Sequence, residues 1–245
     1  MTSKRLNLAD RELYSEDLML ADRLPSAALV AQALQMRSCP SDRVFDRFLP
    51  QDFQVVSRQY WTPLVVAVRA AEWLDELDVR TVVDIGSGAG KFCVATALAG
   101  QARFTGVEQR PRLVSAARAL ARVFNVDDRV RFVPGTFGVG QVPVADAYYL
   151  YNPFGENLFG PQEQLDAEVE LSDDRFQRDV DAVERMLAEA ELGTCLLTYN
   201  GFGGEIPSSY TEVRVDREMP NVLRMWRKTS RVASGPGHCS DALSF

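Results

Sequence analysis

The chain has 245 residues, 46% of them hydrophobic and 25% charged, which suits one large globular domain or a domain with a small cap. Its 27 Lys and Arg against 34 Asp and Glu leave a net charge of −7, which argues against a nucleic-acid surface, since that needs a basic stripe to displace counterions. The four cysteines (Cys39, Cys93, Cys195, Cys239) lie far apart and there is one His, so neither a disulfide framework nor a metal site is expected.

In chain order, the opening MTSKRLNLADRELY lacks the apolar stretch of a signal peptide. The densest apolar run, LVVAV at 64–68, is far too short to span a bilayer. The expectation is a cytoplasmic protein with no membrane partner. Residues 8–37 place apolar groups at helical spacing, with a break at Pro25–Ser26. Residues 39–61 carry Pro40, Pro50 and several aromatics and read as an irregular wrapping segment. Residues 1–60 thus form an N-terminal helical or wrapping addition. Its Phe45, Phe48, Phe53, Tyr60 and Trp61 either close over a site as a lid or pack the addition onto the core.

Thr62–Pro63 predicts a helix start, a hydroxyl cap followed by proline at the first helical position. The helix PLVVAVRAAEWLDEL follows, and then the period alternates. The segments RTVVDIG, RFTGVE, RVRFVPG, ADAYYLYN and GTCLLTYN read as strands. KFCVATALAG, PRLVSAARALARVFNV and a helix capped by Ser172 stand between them. YTEVRVDREMPNVLRMWRK reads as two antiparallel strands around Pro220–Asn221. No internal repeat is read from this pattern. Residues 61–228 therefore predict an α/β domain, a doubly wound, seven-stranded, mostly parallel sheet covered on both faces. Residues 229–245, with His238 and Cys239, read as a flexible tail without a chemical role.

On such sheets, ligands bind beyond the carboxyl ends of the strands, which is where VDIGSGAGK lies. A triphosphate loop would need a hydroxyl residue after the lysine to ligate Mg²⁺, and position 92 is Phe. A dinucleotide loop needs G-x-G-x-x-G, whereas here the spacing is G-x-G-x-G. The acid Asp84 before the first glycine has no use for a pyrophosphate but suits an ammonium.

That combination, DIGSGAG, resembles the first motif of class I S-adenosylmethionine-dependent methyltransferases, and the later motifs follow in order over residues 81–157. The resemblance implies S-adenosylmethionine as cofactor and S-adenosylhomocysteine as product. It assigns the methionyl part of the cofactor to Asp84, with the backbone of Gly86, Ser87, Gly88 and Gly90 close beneath. Glu108 ends the second strand 20 residues after Gly88, where a carboxylate accepts from both ribose hydroxyls, although a strand-end acid can also be a plain surface residue. Gln109 would pack on the adenine. Where many members carry an acid for the adenine amine, this chain has Gly135 and Thr136, so Thr136 or the backbone of Gly135 to Phe137 would serve instead. Tyr60 and Thr62 would close over the cofactor.

YLYNPFGEN at the fourth strand resembles the [DNS]-P-P-[YFW] motif of enzymes that methylate amino or amide nitrogens, with one proline lacking. By that resemblance Asn152 and the Pro153 carbonyl orient the target nitrogen and Phe154 packs on it. The shortened motif also fits O-methylation of a small hydroxylated metabolite, a bare Asn-Pro turn, or a non-catalytic cofactor-binding protein. From 156 to 174 the chain has seven acids (Glu156, Glu163, Asp166, Glu168, Glu170, Asp173, Asp174) and no Lys or Arg. Such a segment would draw in a cationic substrate, a small-molecule or protein amine, with Glu156 taking its proton. Equally, it is a solvated loop whose last acids favour the next helix.

Overall fold

The computed structural model describes residues 25–138 and 142–230. The expected helix over 8–24 and the tail residues His238 and Cys239 lie outside them.

Among the described residues four helices come first: α1 (Ala27–Gln35), α2 (Asp42–Asp46), α3 (Gln51–Tyr60) and α4 (Leu64–Glu76). The core follows as β1 (Thr81–Ile85), α5 (Lys91–Ala99), β2 (Arg103–Glu108), α6 (Pro111–Val123), β3 (Val130–Pro134) and β4 (Ala147–Leu150). A 3₁₀ turn (Gly155–Leu158), α7 (Asp173–Glu189), β5 (Cys195–Tyr199), β6 (Tyr210–Asp216) and β7 (Leu223–Lys228) complete it. The seven strands lie in the order β3-β2-β1-β4-β5-β7-β6. All neighbours from β3 to β5 are parallel, and β7 runs antiparallel to both β5 and β6. This is the expected sheet. The strand order reverses between β1 and β4, which opens a crevice at their carboxyl ends.

Side-chain alternation along β1 divides the core. Val82 joins one apolar layer, with α1 and α4–α6, while Val83 and Ile85 join the other, with α7. Asp84 shares the face of Val82 and is therefore buried. Every residue of α5 is buried, as befits a helix that is apolar all round and rich in alanine, covered by α1 and α4.

Two local expectations fail. Residues 39–61 are not irregular: they contain α2 and α3, because Pro40 and Pro50 lie before the helices rather than within them. Phe45, Phe53 and Trp61 from this stretch are buried in the main core. Thr62 does not cap α4 either. Pro63 is extended, and the Leu64 amide donates instead to Asp42 Oδ1 at 2.9 Å. The Thr62 hydroxyl pairs with the Tyr149 hydroxyl at 2.7 Å. By contrast, Ser172 caps α7 as read, accepting from the Arg175 amide at 3.2 Å. No helix among the described residues is long and apolar enough to cross a membrane.

Candidate functional site

At the carboxyl ends of β1, β2 and β4 lies a cavity of about 230 Å³. Among the anticipated residues its wall contains Tyr60, Gly86, Gly88, Glu108, Gln109, Gly135, Phe137, Asn152, Pro153, Phe154 and Glu156. Trp61, Arg110, Arg175, Asp179 and Asn200 are also in this wall. A smaller cavity of about 20 Å³ shares Tyr60, Trp61, Gly86 and Tyr151 with it and adds Thr62, Asp84, Ser87 and Lys91. That is room for one ammonium-sized group.

Glu108 is held at the end of β2 by two amides. The Gly88 N–H donates to Oε2 at 3.0 Å and the Arg110 N–H to Oε1 at 2.8 Å. Burial pushes its carboxyl upward, and these hydrogen bonds oppose the shift. The carboxylate also lines the cavity and has lone pairs beyond those two bonds. Gln109 accepts from Arg175 Nη2, and the Gly135 amide donates to the Glu108 carbonyl at 2.9 Å.

Asp84 is 3% exposed, and among the described residues its polar side-chain contact is the Cys93 thiol, at 3.2 Å. Burial pushes its carboxyl up to about 7, with the thiol hydrogen bond opposing and the charge of Glu108 reinforcing the rise. A buried carboxylate with no cation opposite is costly, and here it borders a cavity of the right size for one. Ser87 Oγ is likewise buried without a hydrogen-bond partner.

Two glycines differ in their reason. At Gly88 (φ +54°) an added Cβ would strike the indole of Trp61, so the loop must pass bare beneath that ring. At Gly90 (φ +78°) the obstacles are Phe132 Cζ at 2.5 Å and Ala117 Cβ at 2.8 Å. Gly90 thus serves helix–sheet packing and lies in neither cavity wall, unlike the expectation that it borders the cofactor. Thr136 is exposed and also lies outside both walls.

The acidic segment is paired in part. Arg110, buried at the start of α6, pairs with Glu156 through Nη2 and with Asp166 through Nε, both at 2.9 Å. Glu156 Oε1 also accepts from the Leu165 amide at 2.7 Å. Arg112 reaches Glu168 at 3.6 Å and Asp52 of α3 at 2.8 Å. Glu156 is therefore an anchor of the wall rather than a free proton acceptor. Three of its seven acids, Glu156, Asp166 and Glu168, are thus paired with arginines distant in sequence.

Lys91, which the sequence offered only as a phosphate-loop lookalike, is 2% exposed. Its Nζ lies 2.6 Å from Asp42 Oδ1, 2.8 Å from Asp46 Oδ1 and 3.1 Å from Ser57 Oγ. The Asp46 contact is a charge pairing without hydrogen-bond geometry. This cluster ties α2 and α3 to the glycine loop and so sets Tyr60 and Trp61 over the cavity. A lysine beside Phe92 in an apolar run was the available signal. Among the described residues no cluster of His, Cys, Asp or Glu has the make-up of a metal site, and Cys39, Cys93 and Cys195 are free thiols.

No family model matches the chain. A stretch of 74 residues is 36% identical to the ribosomal protein L11 methyltransferase of Deinococcus radiodurans, covering 29% of this chain and 27% of that protein. The Escherichia coli protein of the same name matches over 61 residues at 36%, or 24% and 21% of the two chains. The chain thus spans about a quarter of the length of these curated relatives. An RNA methyltransferase from Salinibacter ruber, solved with S-adenosyl-L-homocysteine, superposes with a TM-score of 0.51 at 20% identity, covering 71% of this chain and 96% of that one. An O-methyltransferase from Bacillus cereus, solved with the same ligand, gives 0.50 at 10% identity, covering 82% and 97%. The fold is that of class I methyltransferases.

Proposed function

We propose that the protein is an S-adenosylmethionine-dependent methyltransferase that acts on nitrogen. The observation that carries this reading is the pair of buried strand-end acids. Asp84 lacks a cation and faces an ammonium-sized cavity, and Glu108 stands in the wall of the adjoining larger one. A nucleoside bearing a cationic amino-acid tail matches both. Its ribose hydroxyls would donate to Glu108 and its ammonium to Asp84, and the bare backbone of Gly86 and Gly88 admits it closely. Gln109 and Phe137 would border the adenine, with Gly135 in the place usual for an acid.

When bound, the cofactor supplies an electrophilic methyl group on a sulfonium. The chain's own part is to orient the acceptor and exclude water. Asn152 and Phe154 line the same cavity as Glu108, which supports a role in aiming the acceptor. Phe154 packs near Phe137 with ring centres 5.6 Å apart, so it closes the wall between the two halves of the site. Two of the structural relatives are named for RNA and for oxygen acceptors, and the first weighs against taking the net charge of −7 to exclude nucleic acid.

Calorimetric titration with S-adenosylmethionine and S-adenosylhomocysteine tests the reading. Micromolar binding is expected for the native protein. Glu108→Ala should weaken it at least ~100-fold, since two charge-assisted hydrogen bonds in a buried site are lost. Failure of both ligands to bind the native protein overturns the proposal.

A further inference from the structure

Two adjacent strand ends carry the same pentapeptide pattern, Tyr-Asn-x-Phe-Gly, at 151–155 and again at 199–203. Only four residues recur, too few to stand out as a repeat in the sequence. In the fold the two copies lie side by side. The parallel register of β4 and β5 pairs Ala147 with Cys195 and runs to Leu150 with Thr198, so its continuation sets Tyr151 beside Tyr199 and Asn152 beside Asn200. The tyrosine rings meet at 4.9 Å, and Phe154 and Phe202 are buried in the same apolar layer. The Asn152 amide donates to the Gly201 carbonyl at 2.9 Å, joining the two turns.

Both asparagines have left-handed backbone, φ 40° at Asn152 and 61° at Asn200, a conformation few side chains adopt and one that gathers at functional sites. Both are exposed and both stand in the wall of the large cavity. Among the described residues neither carboxamide has a hydrogen-bond partner. Asn157, in contrast, spends its side chain on the Phe154 carbonyl and the Ser172 amide.

We infer that Asn200 is a second acceptor-orienting residue, and that the twin turns present two carboxamide oxygens to a nitrogen carrying two hydrogens. This rests on the methyltransferase reading and names the acceptor class. An –NH₂ group can donate one hydrogen to Asn152 and one to Asn200, which leaves its lone pair directed at the methyl group. A hydroxyl has a single hydrogen and would leave one oxygen idle. The nitrogen lone pair forms the new C–N bond as the C–S bond breaks, with its electron pair remaining on sulfur. The nitrogen sheds its extra proton to bulk water as the methylated product leaves.

The deciding probe is the cofactor analogue in which an amine-bearing carbon replaces the methylsulfonium. It places N–H groups at the position of the methyl group, facing the acceptor side of the site. Asn200→Gly keeps the left-handed backbone and removes only the carboxamide. Calorimetry should show the analogue binding about 10-fold more weakly to this variant, with S-adenosylhomocysteine affinity unchanged. Asn200→Asp, which retains acceptor oxygens, should hold the analogue at least as well as the native protein. Equal affinity of the analogue for native and Asn200→Gly proteins overturns the inference and leaves the methyltransferase reading standing. Binding of neither ligand to the native protein overturns both. With labelled S-adenosylmethionine, a lysyl peptide, a glutaminyl peptide and an adenine oligonucleotide distinguish the possible sources of the –NH₂ group. A simple phenol methylated in preference to all three would also overturn the inference.

Discussion

Asp84→Asn should stabilise the fold and disable cofactor binding at the same time. A buried carboxyl raised to about 7 from its ordinary 3.8 is one the folded state prefers neutral. Between these values the native protein retains a proton that the unfolded chain has released, so stability declines as pH rises from about 4 to 7. Above that window the penalty is on the order of 4 kcal/mol, at 1.36 kcal/mol per pKa unit. Asparagine removes the charge and can still accept from Cys93, but it buries an N–H₂ without a partner, at roughly 1–3 kcal/mol. The net expectation is a gain of about 1–3 kcal/mol at pH 8 that vanishes by about pH 5, read from denaturant unfolding at the two pH values. Affinity should move the other way. In the native protein a proton competes with the cofactor ammonium, so binding should weaken about tenfold per unit below pH 7. In the variant it should be ~100-fold weaker at pH 8 and nearly independent of pH. A variant less stable than the native protein at pH 8, with unchanged affinity, would show that Asp84 has another cation.

Lys91→Met is expected to be among the most destabilising single changes in the chain. It leaves Asp46, 6% exposed, without its counter-charge and removes the donor that links Ser57 to the glycine loop. Breaking a buried pair from one side costs about 3–5 kcal/mol, or roughly 6–20 °C in melting temperature for a domain of this size. The loss should be partly repaired by adding Asp46→Asn, because the unpaired charge carries most of the cost. A thermal-melt cycle of the two single variants and the double measures that coupling. Since α2 and α3 set Tyr60 and Trp61 over the cavity, S-adenosylhomocysteine should also bind more weakly to the single variant under conditions where it remains folded. Additive melting losses in the double variant would mean that the lysine acts through Asp42 alone.

The strand–helix alternation of residues 81–228 was legible because period and punctuation are local. Val82, Val83 and Ile85 announce a strand buried on both faces, and Ser172 announces α7 by its hydroxyl. The acids at 84 and 108 could be named because Asp84 precedes the glycine loop and Glu108 ends the next strand, 20 residues after Gly88. Reading failed where the partner of a residue lies far along the chain. Thr62 has the form of a helix cap, yet its hydroxyl goes to Tyr149 and the amide it would have served goes to Asp42. Glu156 has the form of a free base in an acidic run, yet Arg110 is folded against it. Gly90 belongs to a cofactor loop by spacing but is required by Phe132 and Ala117.

The sequence by itself determined the order of elements, the mostly parallel sheet and the strand ends at which chemistry gathers, since these follow from hydrophobic period and turn chemistry over a few residues. Only the tertiary structure decided which charges are spent and which remain available. Lys91, Arg110 and Arg175 are bound to acids or amides on other elements, whereas Asp84 keeps no cation among the described residues and the carboxamides of Asn152 and Asn200 keep no partner. The reason is physical: pairing and burial depend on distance through space, and the sheet sets side by side the turns at 151–155 and 199–203, which the chain holds far apart.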